Sequence, residues 1–245
     1  MEIFRKQRRG APAGFFRVEA AGLRWLDAAG AVRAAQVLGV GDDFIELEHL
    51  PTTFATSEAA EEFGRALVAL HDAGAPAFGS PPAGWDADGF IGDAPLPLRG
   101  EATWGTFYAR HRMRPYLHAA HSPVFERLCD RLEAGDFDDP APPARLHGDL
   151  WSGNLLWTPS GAALIDPAAH GGHRITDLAM LALFGAPYLD RVLASYAEAS
   201  DHLPDDWREL IPLHQVHPLL VHAVLFGGGY GAQAGRAASD ALTRR

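Results

Sequence analysis

The sequence predicts an α/β (α+β) fold in two lobes, a small strand-rich one over residues 1–50 and a mostly helical one over residues 51–245. Three observations carry this. The first fifty residues read as strand, helix, strand, strand. After Pro51 the apolar residues recur mainly at helical spacing, and a short hairpin near residues 155–165 interrupts that helical part.

Residues 2–6, EIFRK, read as a strand, and RRGAPAG breaks it. Between Phe15 and Ala29 the apolar Phe15, Phe16, Leu23 and Leu26 fall at helical spacing, with Glu19 inside the run and Gly30 at the exit. VLGV and FIELE form two strands joined by Gly41-Asp42-Asp43; in the second, Ile45 and Leu47 alternate with Glu46 and Glu48. Thr56 or Ser57 caps the next helix, with Glu58, Glu61 and Glu62 in its first turns, where acidic groups suit the positive end of the dipole. Phe63, Leu67 and Leu70 form its buried stripe, and Gly74 ends it. Residues 75–100 are rich in Pro and Gly and are expected to form a long surface loop. Helices are expected at about 101–120 and 123–134, followed by the connector DFDDPAPPAR. Leu146-His147 and Leu155 to Trp157 read as strands. A Pro159-Ser160-Gly161 turn leads to a third strand from Ala162 to Ile165, and the chain is mostly helical from Thr176.

Composition narrows the function. Of 245 residues 47% are hydrophobic and 21% charged, and the formal net charge is −10. A chain this acidic is poorly suited to nucleic acid, whose phosphates call for Lys and Arg. No window nears the ~18 apolar residues of a membrane span, and MEIFRKQRRG lacks a signal-peptide core, so the expected compartment is cytoplasmic. Cys129, the single cysteine, reads as a core residue. There are 20 arginines but one lysine, Lys6, a compact point charge rather than a planar fork. Twelve histidines invite a transition-metal reading, but His118 with His121, and His214, His217 and His222, lack the convergence such a site needs. FGGGYG at 226–231 follows a helix rather than a strand and reads as a turn between the last two helices.

The stretch HGDLWSGNLLWTPSGAALID is the chemical signal. Asp149 and Asn154 lie on one loop, and the hairpin that starts after Asn154 returns the chain to them at Asp166. Two carboxylates and an amide oxygen in one volume suit Mg2+ shared with substrate phosphates. His-x-Asp, Asn five residues after that Asp, then Asp after a hairpin, is the layout of kinase-like phosphotransferases. Gly148 stands where protein kinases have Arg, and Pro167-Ala168 where they have Phe-Gly, so the small-molecule branch fits better.

LHGDLWSGN, IDPAAHGGHR, DLAMLALFG, LVHAVLFGGGYGAQA and the N-terminal GFFRVEAAGLRWL together resemble the fructosamine kinase (ketosamine kinase) family, collinearly from about residue 3 to 235. The resemblance implies a protein-kinase-like fold with a truncated N-terminal lobe, using ATP and Mg2+ to phosphorylate a sugar hydroxyl of a ketosamine or glycated amine in deglycation. It implies Asp149 as catalytic base, and Asn154 and Asp166 as Mg2+ ligands. Lys6 would sit on the ATP phosphates, oriented by Glu19, and backbone groups of Glu48, His49 and Leu50 on adenine. Trp151 would contact the sugar, and Asp177, which at the start of DLAMLALF reads as a helix N-cap, would by the resemblance also hold the catalytic-loop backbone; His147 is read as bracing that loop. The pattern departs at two places. The chain starts at the lysine strand, without the two strands and glycine-rich turn that cover the phosphates in such kinases, so ATP affinity and water exclusion are expected to suffer. Ile175 follows GHR where the family has an acidic residue. The first departure motivates a rival, a degenerate kinase-like binding or regulatory protein, against which the intact Lys6, Glu19, Asp149, Asn154 and Asp166 set argues. A second rival keeps the chemistry and takes an aminoglycoside or choline-type alcohol.

Overall fold

Strand β1 (Ile3–Gln7) and helix α1 (Phe15–Asp27) open the computed structural model, which describes residues 2–243. Strands β2 (Arg33–Ala34), β3 (Val37–Val40) and β4 (Phe44–Glu48) follow. β4 is central in an antiparallel sheet of order β1–β4–β3, with Lys6 opposite Ile45. The alternation read from the sequence holds: Ile45 and Leu47 are buried under α1, whose apolar face is Phe16, Ala20, Leu23 and Leu26.

Helix α2 (Ser57–Asp72) starts where Thr56 accepts the Ala59 N–H on its side chain. The hairpin of β8 (Leu155–Thr158) and β9 (Gly161–Leu164) lies against it, and β9 pairs in parallel with β2. A strand of the first fifty residues therefore shares a sheet with the hairpin that carries the acidic constellation. One apolar cluster joins α1, β4, α2 and the hairpin to α5 (Ile175–Phe184) and α6 (Leu189–Ala199).

Two expectations are corrected. Residues 75–100 are not a surface loop: they hold a hairpin of β5 (Gly89–Ile91) and β6 (Ala94–Leu96), and Phe78, Ile91, Leu96 and Leu98 are buried. The Pro and Gly content masked apolar residues two apart on either side of a Gly92-Asp93 turn. Residues 101–120 are not one helix. A single α turn, α3 (Trp104–Phe107), widens to π geometry over Tyr108–Met113 and tightens to 3-10 geometry over Arg114–Ala119, where Pro115 removes a backbone donor.

These segments pack with α4 (Pro123–Glu133), α7 (Trp207–Phe226) and α8 (Tyr230–Thr243) into a second cluster that buries Cys129. The turn between the last two helices falls at 227–229, as the glycines predict. The strand expected at Leu146-His147 is β7 (Ala144–Leu146), paired with β10 (His170–Gly172). Pro218 does not interrupt α7, so His214, His217 and His222 share one helix. His214 stacks on Trp104 and contacts Thr176 Oγ1 at 2.9 Å. Among the described residues no three His, Cys, Asp or Glu side chains are grouped to hold a metal, and no helix is long and apolar enough to cross a membrane.

Candidate active site

The catalytic-loop geometry begins with Gly148. It has φ +81°, and a Cβ there would lie 2.2 Å from the Ala168 carbonyl oxygen. Neither the conformation nor the space admits the arginine of protein kinases. The loop hangs from Asp177, whose carboxylate accepts the N–H groups of His147 (2.8 Å) and Gly148 (2.9 Å). Asp177 is the third residue of α5 and caps nothing; Arg174 precedes the helix without a side-chain cap. Burial alone would raise the Asp177 carboxyl, but His71, at 3.2 Å, and the loop's N–H groups outweigh it and hold it below the usual range. His71 is fixed in turn by Tyr196 at 2.7 Å.

His147 is buried, and burial lowers its pKa, so the ring is neutral. Its Nε2 lies 2.9 Å from the Ile165 carbonyl and must donate, which leaves Nδ1 to accept the Asp149 N–H at 3.2 Å. One imidazole thus ties the loop to the hairpin end.

The hairpin does bring the three acidic-site residues together. The Asn154 amide nitrogen donates to the Asp149 carbonyl (2.9 Å) and carboxylate (3.0 Å), and Ile165 N–H returns to Asn154 O at 3.1 Å. Asp166 follows with φ +52°, a left-handed kink that turns it out of the strand direction. With its nitrogen on Asp149, the amide oxygen of Asn154 is the atom that could serve a cation. Burial pushes the Asp149 carboxyl up to about 6, and the Asn154 bond opposes this.

Lys6 reaches this point from β1. Its Nζ donates to Glu19 (2.8 Å) and Asp166 (2.6 Å). Burial would lower its pKa, but the two carboxylates prevail and raise it. Burial, aided by Asp166 and opposed by Lys6, pushes Glu19 up to about 7. Glu19 is placed by the close approach of α1 to the segment after Asp166: a Cβ at Gly22 would lie 3.1 Å from Ala169 and 3.2 Å from Pro167. Two carboxylates, Glu19 and Asp166, thus flank the ammonium, and Asp149 lines the same cavity. These are hard oxygen donors with surplus negative charge, a set that fits a divalent Mg2+, which Asn154 and Asp166 could hold.

Three adjoining cavities surround these groups. One, of about 380 Å3, lies between Phe4, Ala35, Leu47, Leu50, Leu156 and Ile165 and ends at Lys6 and Asp166. At its edge Glu48 N–H donates to Gln36 O and His49 N–H to Glu2 O, both at 2.9 Å. Those two donors are spent in the sheet. The second, of about 340 Å3, holds Lys6, Glu19, Asp149, Asn154 and Asp166 under Phe90, Gly92 and Asp93 of the β5–β6 hairpin. The third, of about 310 Å3, shares Asp149 and Trp151 with the second and continues to Phe184 and His222. Trp151 is 40% exposed and stands at the junction.

The sequence reading missed the β5–β6 turn, tied to the first strand region by an Arg8–Asp93 ion pair. It also missed His71, Phe184 and His222 at the site. Asp93 follows Gly92 in a turn flanked by apolar residues, a signal that was legible; the contact of His71 with Asp177 spans 106 residues and left none.

A model of the fructosamine kinase family matches residues 1–244. The probable ketoamine kinase of Thermus thermophilus is 36% identical over 231 residues, which are 93% of this chain and 83% of that protein. A probable ketoamine kinase of Synechocystis is 33% identical, over 89% of this chain and 76% of its own. A Thermobifida fusca crystal structure carrying the name "putative fructosamine-3-kinase" superposes with a TM-score of 0.89 at 47% identity, covering 98% of this chain and 85% of that one. A choline/ethanolamine kinase family protein of Mesorhizobium loti, 15% identical, shares the fold at a TM-score of 0.63, over 99% of this chain and 86% of its own. The architecture is the two-lobed protein-kinase-like one, and the chain belongs to the fructosamine kinase family, phosphotransferases acting on a sugar hydroxyl.

Proposed function

We propose that the protein is an ATP- and Mg2+-dependent ketosamine kinase that phosphorylates the hydroxyl on the third sugar carbon of a fructosamine-type adduct, as a step in deglycation. The observation that carries this reading is the continuity of the three cavities, joined at Lys6 with Asp166 and at Asp149 with Trp151. Residues 1–50 form the nucleotide lobe and residues 51–245 the catalytic and acceptor lobe.

Adenine lies in the apolar cavity, read by the Glu48 carbonyl and the Leu50 N–H. Lys6 holds the α- and β-phosphates, and Glu19 keeps its ammonium in place. Asn154 and Asp166 would hold Mg2+, which when bound would neutralise charge on the phosphate oxygens. Trp151 stacks against the sugar, and Asp149 orients its hydroxyl and accepts its proton. The sugar oxygen bonds to the γ-phosphorus as the bond to the β–γ bridging oxygen breaks, and ADP leaves with that electron pair. Asp149 returns the proton to solvent. Positioning and charge stabilisation do most of the work. The β5–β6 turn closes over the phosphate cavity, where it excludes water.

The test is ADP release with Mg·ATP against ketosamines, aminoglycosides and amino alcohols. Turnover confined to ketosamines, and lost in Asp149→Asn, is expected. Turnover of aminoglycosides or choline instead overturns the acceptor assignment, and no ADP release with any acceptor overturns the kinase reading.

A further inference from the structure

The acceptor cavity differs in character from the phosphate cavity beside it. Of its lining only Asp149 and His222 are ionisable, and no Lys or Arg borders it. Its far wall is a run of rings: Trp151 to Phe184 at 6.4 Å, Phe184 to His222 at 4.7 Å, and His222 to Phe226 at 5.4 Å. The His222 Nδ1 lies 2.7 Å from the Pro218 carbonyl, which can only accept, so Nδ1 carries the proton. Partial burial lowers the pKa of this ring and keeps it neutral, so Nε2 presents a lone pair. Phe184 is the last residue of α5 and Phe226 the last of α7, so both helices bring their negative ends to the cavity. Ring faces, a lone pair, two helix C-termini and a carboxylate all favour a cation, and nothing in the lining favours an anion.

Resting on the ketosamine reading, we propose that Phe184, His222 and Phe226 form the subsite for the protonated secondary amine of the substrate, selecting ketosamines with apolar or cationic amine substituents and rejecting those with a carboxylate next to the nitrogen. The amine N–H donates to His222 Nε2, its charge lies against the Phe184 and Phe226 faces, and the apolar substituent extends along Leu225 and Val221.

The experiment compares kcat/KM for three acceptors by ADP release: the fructosamine of butylamine, its 1-O-butyl ether analogue, which lacks the ammonium, and the fructosamine of glycine, which adds a carboxylate. The butylamine adduct is expected to lead each of the others by about tenfold, the scale of a desolvated cation–π contact. In His222→Leu and in the surface variant Phe226→Ala, KM for the butylamine adduct should rise severalfold, kcat and the KM for Mg·ATP should hold, and the lead over the ether should shrink. Turnover of all three acceptors at equal kcat/KM, or an unchanged lead in both variants, overturns this subsite while leaving the kinase reading intact. No turnover of any acceptor overturns both.

Discussion

Asp149 stands between the Asn154 amide and the cavity it shares with Trp151, with a carboxyl pushed up to about 6 by burial. A base must be ionised to accept a proton. In the kinase reading kcat/KM for the ketosamine should therefore fall about tenfold per pH unit below that value and level off above it, as a pH–rate profile will show. Asp149→Asn should lower kcat by about 10²–10⁴-fold. The same residue links to stability. Its folded pKa, about 6, lies above the ordinary 3.8, so the fold favours the neutral form; that contribution is complete below 3.8 and is lost as pH rises through 6. An uncharged amide in place of the carboxylate keeps it, so Asp149→Asn should be more stable than the parent at pH 8 by on the order of 3 kcal/mol. Thermal melts across pH should show this gain fading below 6 and absent near pH 3.5; a gain that is independent of pH would contradict the burial argument.

Helix α1 carries Glu19 to Lys6, and its approach to Pro167 and Ala169 depends on Gly22. A branched side chain there must push the helix outward. Gly22→Val is expected to cost about 1–3 kcal/mol of stability and to raise the KM for Mg·ATP severalfold, with the KM for the acceptor little changed. Steady-state kinetics with each substrate varied in turn will separate these, and equal effects on both would place α1 outside the nucleotide function. Elements with a clean period were legible in the sequence: β4 through Ile45 and Leu47, α2 through Phe63, Leu67 and Leu70. The β5–β6 hairpin was not, because three-residue strands hold too few apolar positions to stand out among prolines and glycines. The π and 3-10 segments at 108–119 were not either, because they retain near-helical spacing while changing their hydrogen bonds.

Across the whole molecule, the site is assembled from segments distant in sequence. Lys6 lies 160 residues from Asp166, and the two meet because β2 joins β9 in one sheet while α1 packs on the segment after Asp166. The residue types of this meeting were readable: a lone lysine, a glutamate on a helix, and oxygen ligands on either side of a hairpin. Its surroundings were not, since His71, the β5–β6 turn and the ring wall reach the site through tertiary packing that no local spacing records. That packing aligns an apolar cavity, a carboxylate-lined chamber and an aromatic pocket end to end. The most direct test of this alignment is phosphorus NMR of the product formed from a fructosamine and Mg·ATP. The account predicts a new phosphomonoester signal, coupled to the proton on the third sugar carbon and equal in amount to the ADP formed. ADP accompanied only by inorganic phosphate would mean that the chamber hydrolyses ATP without presenting it to the sugar, and would contradict the account.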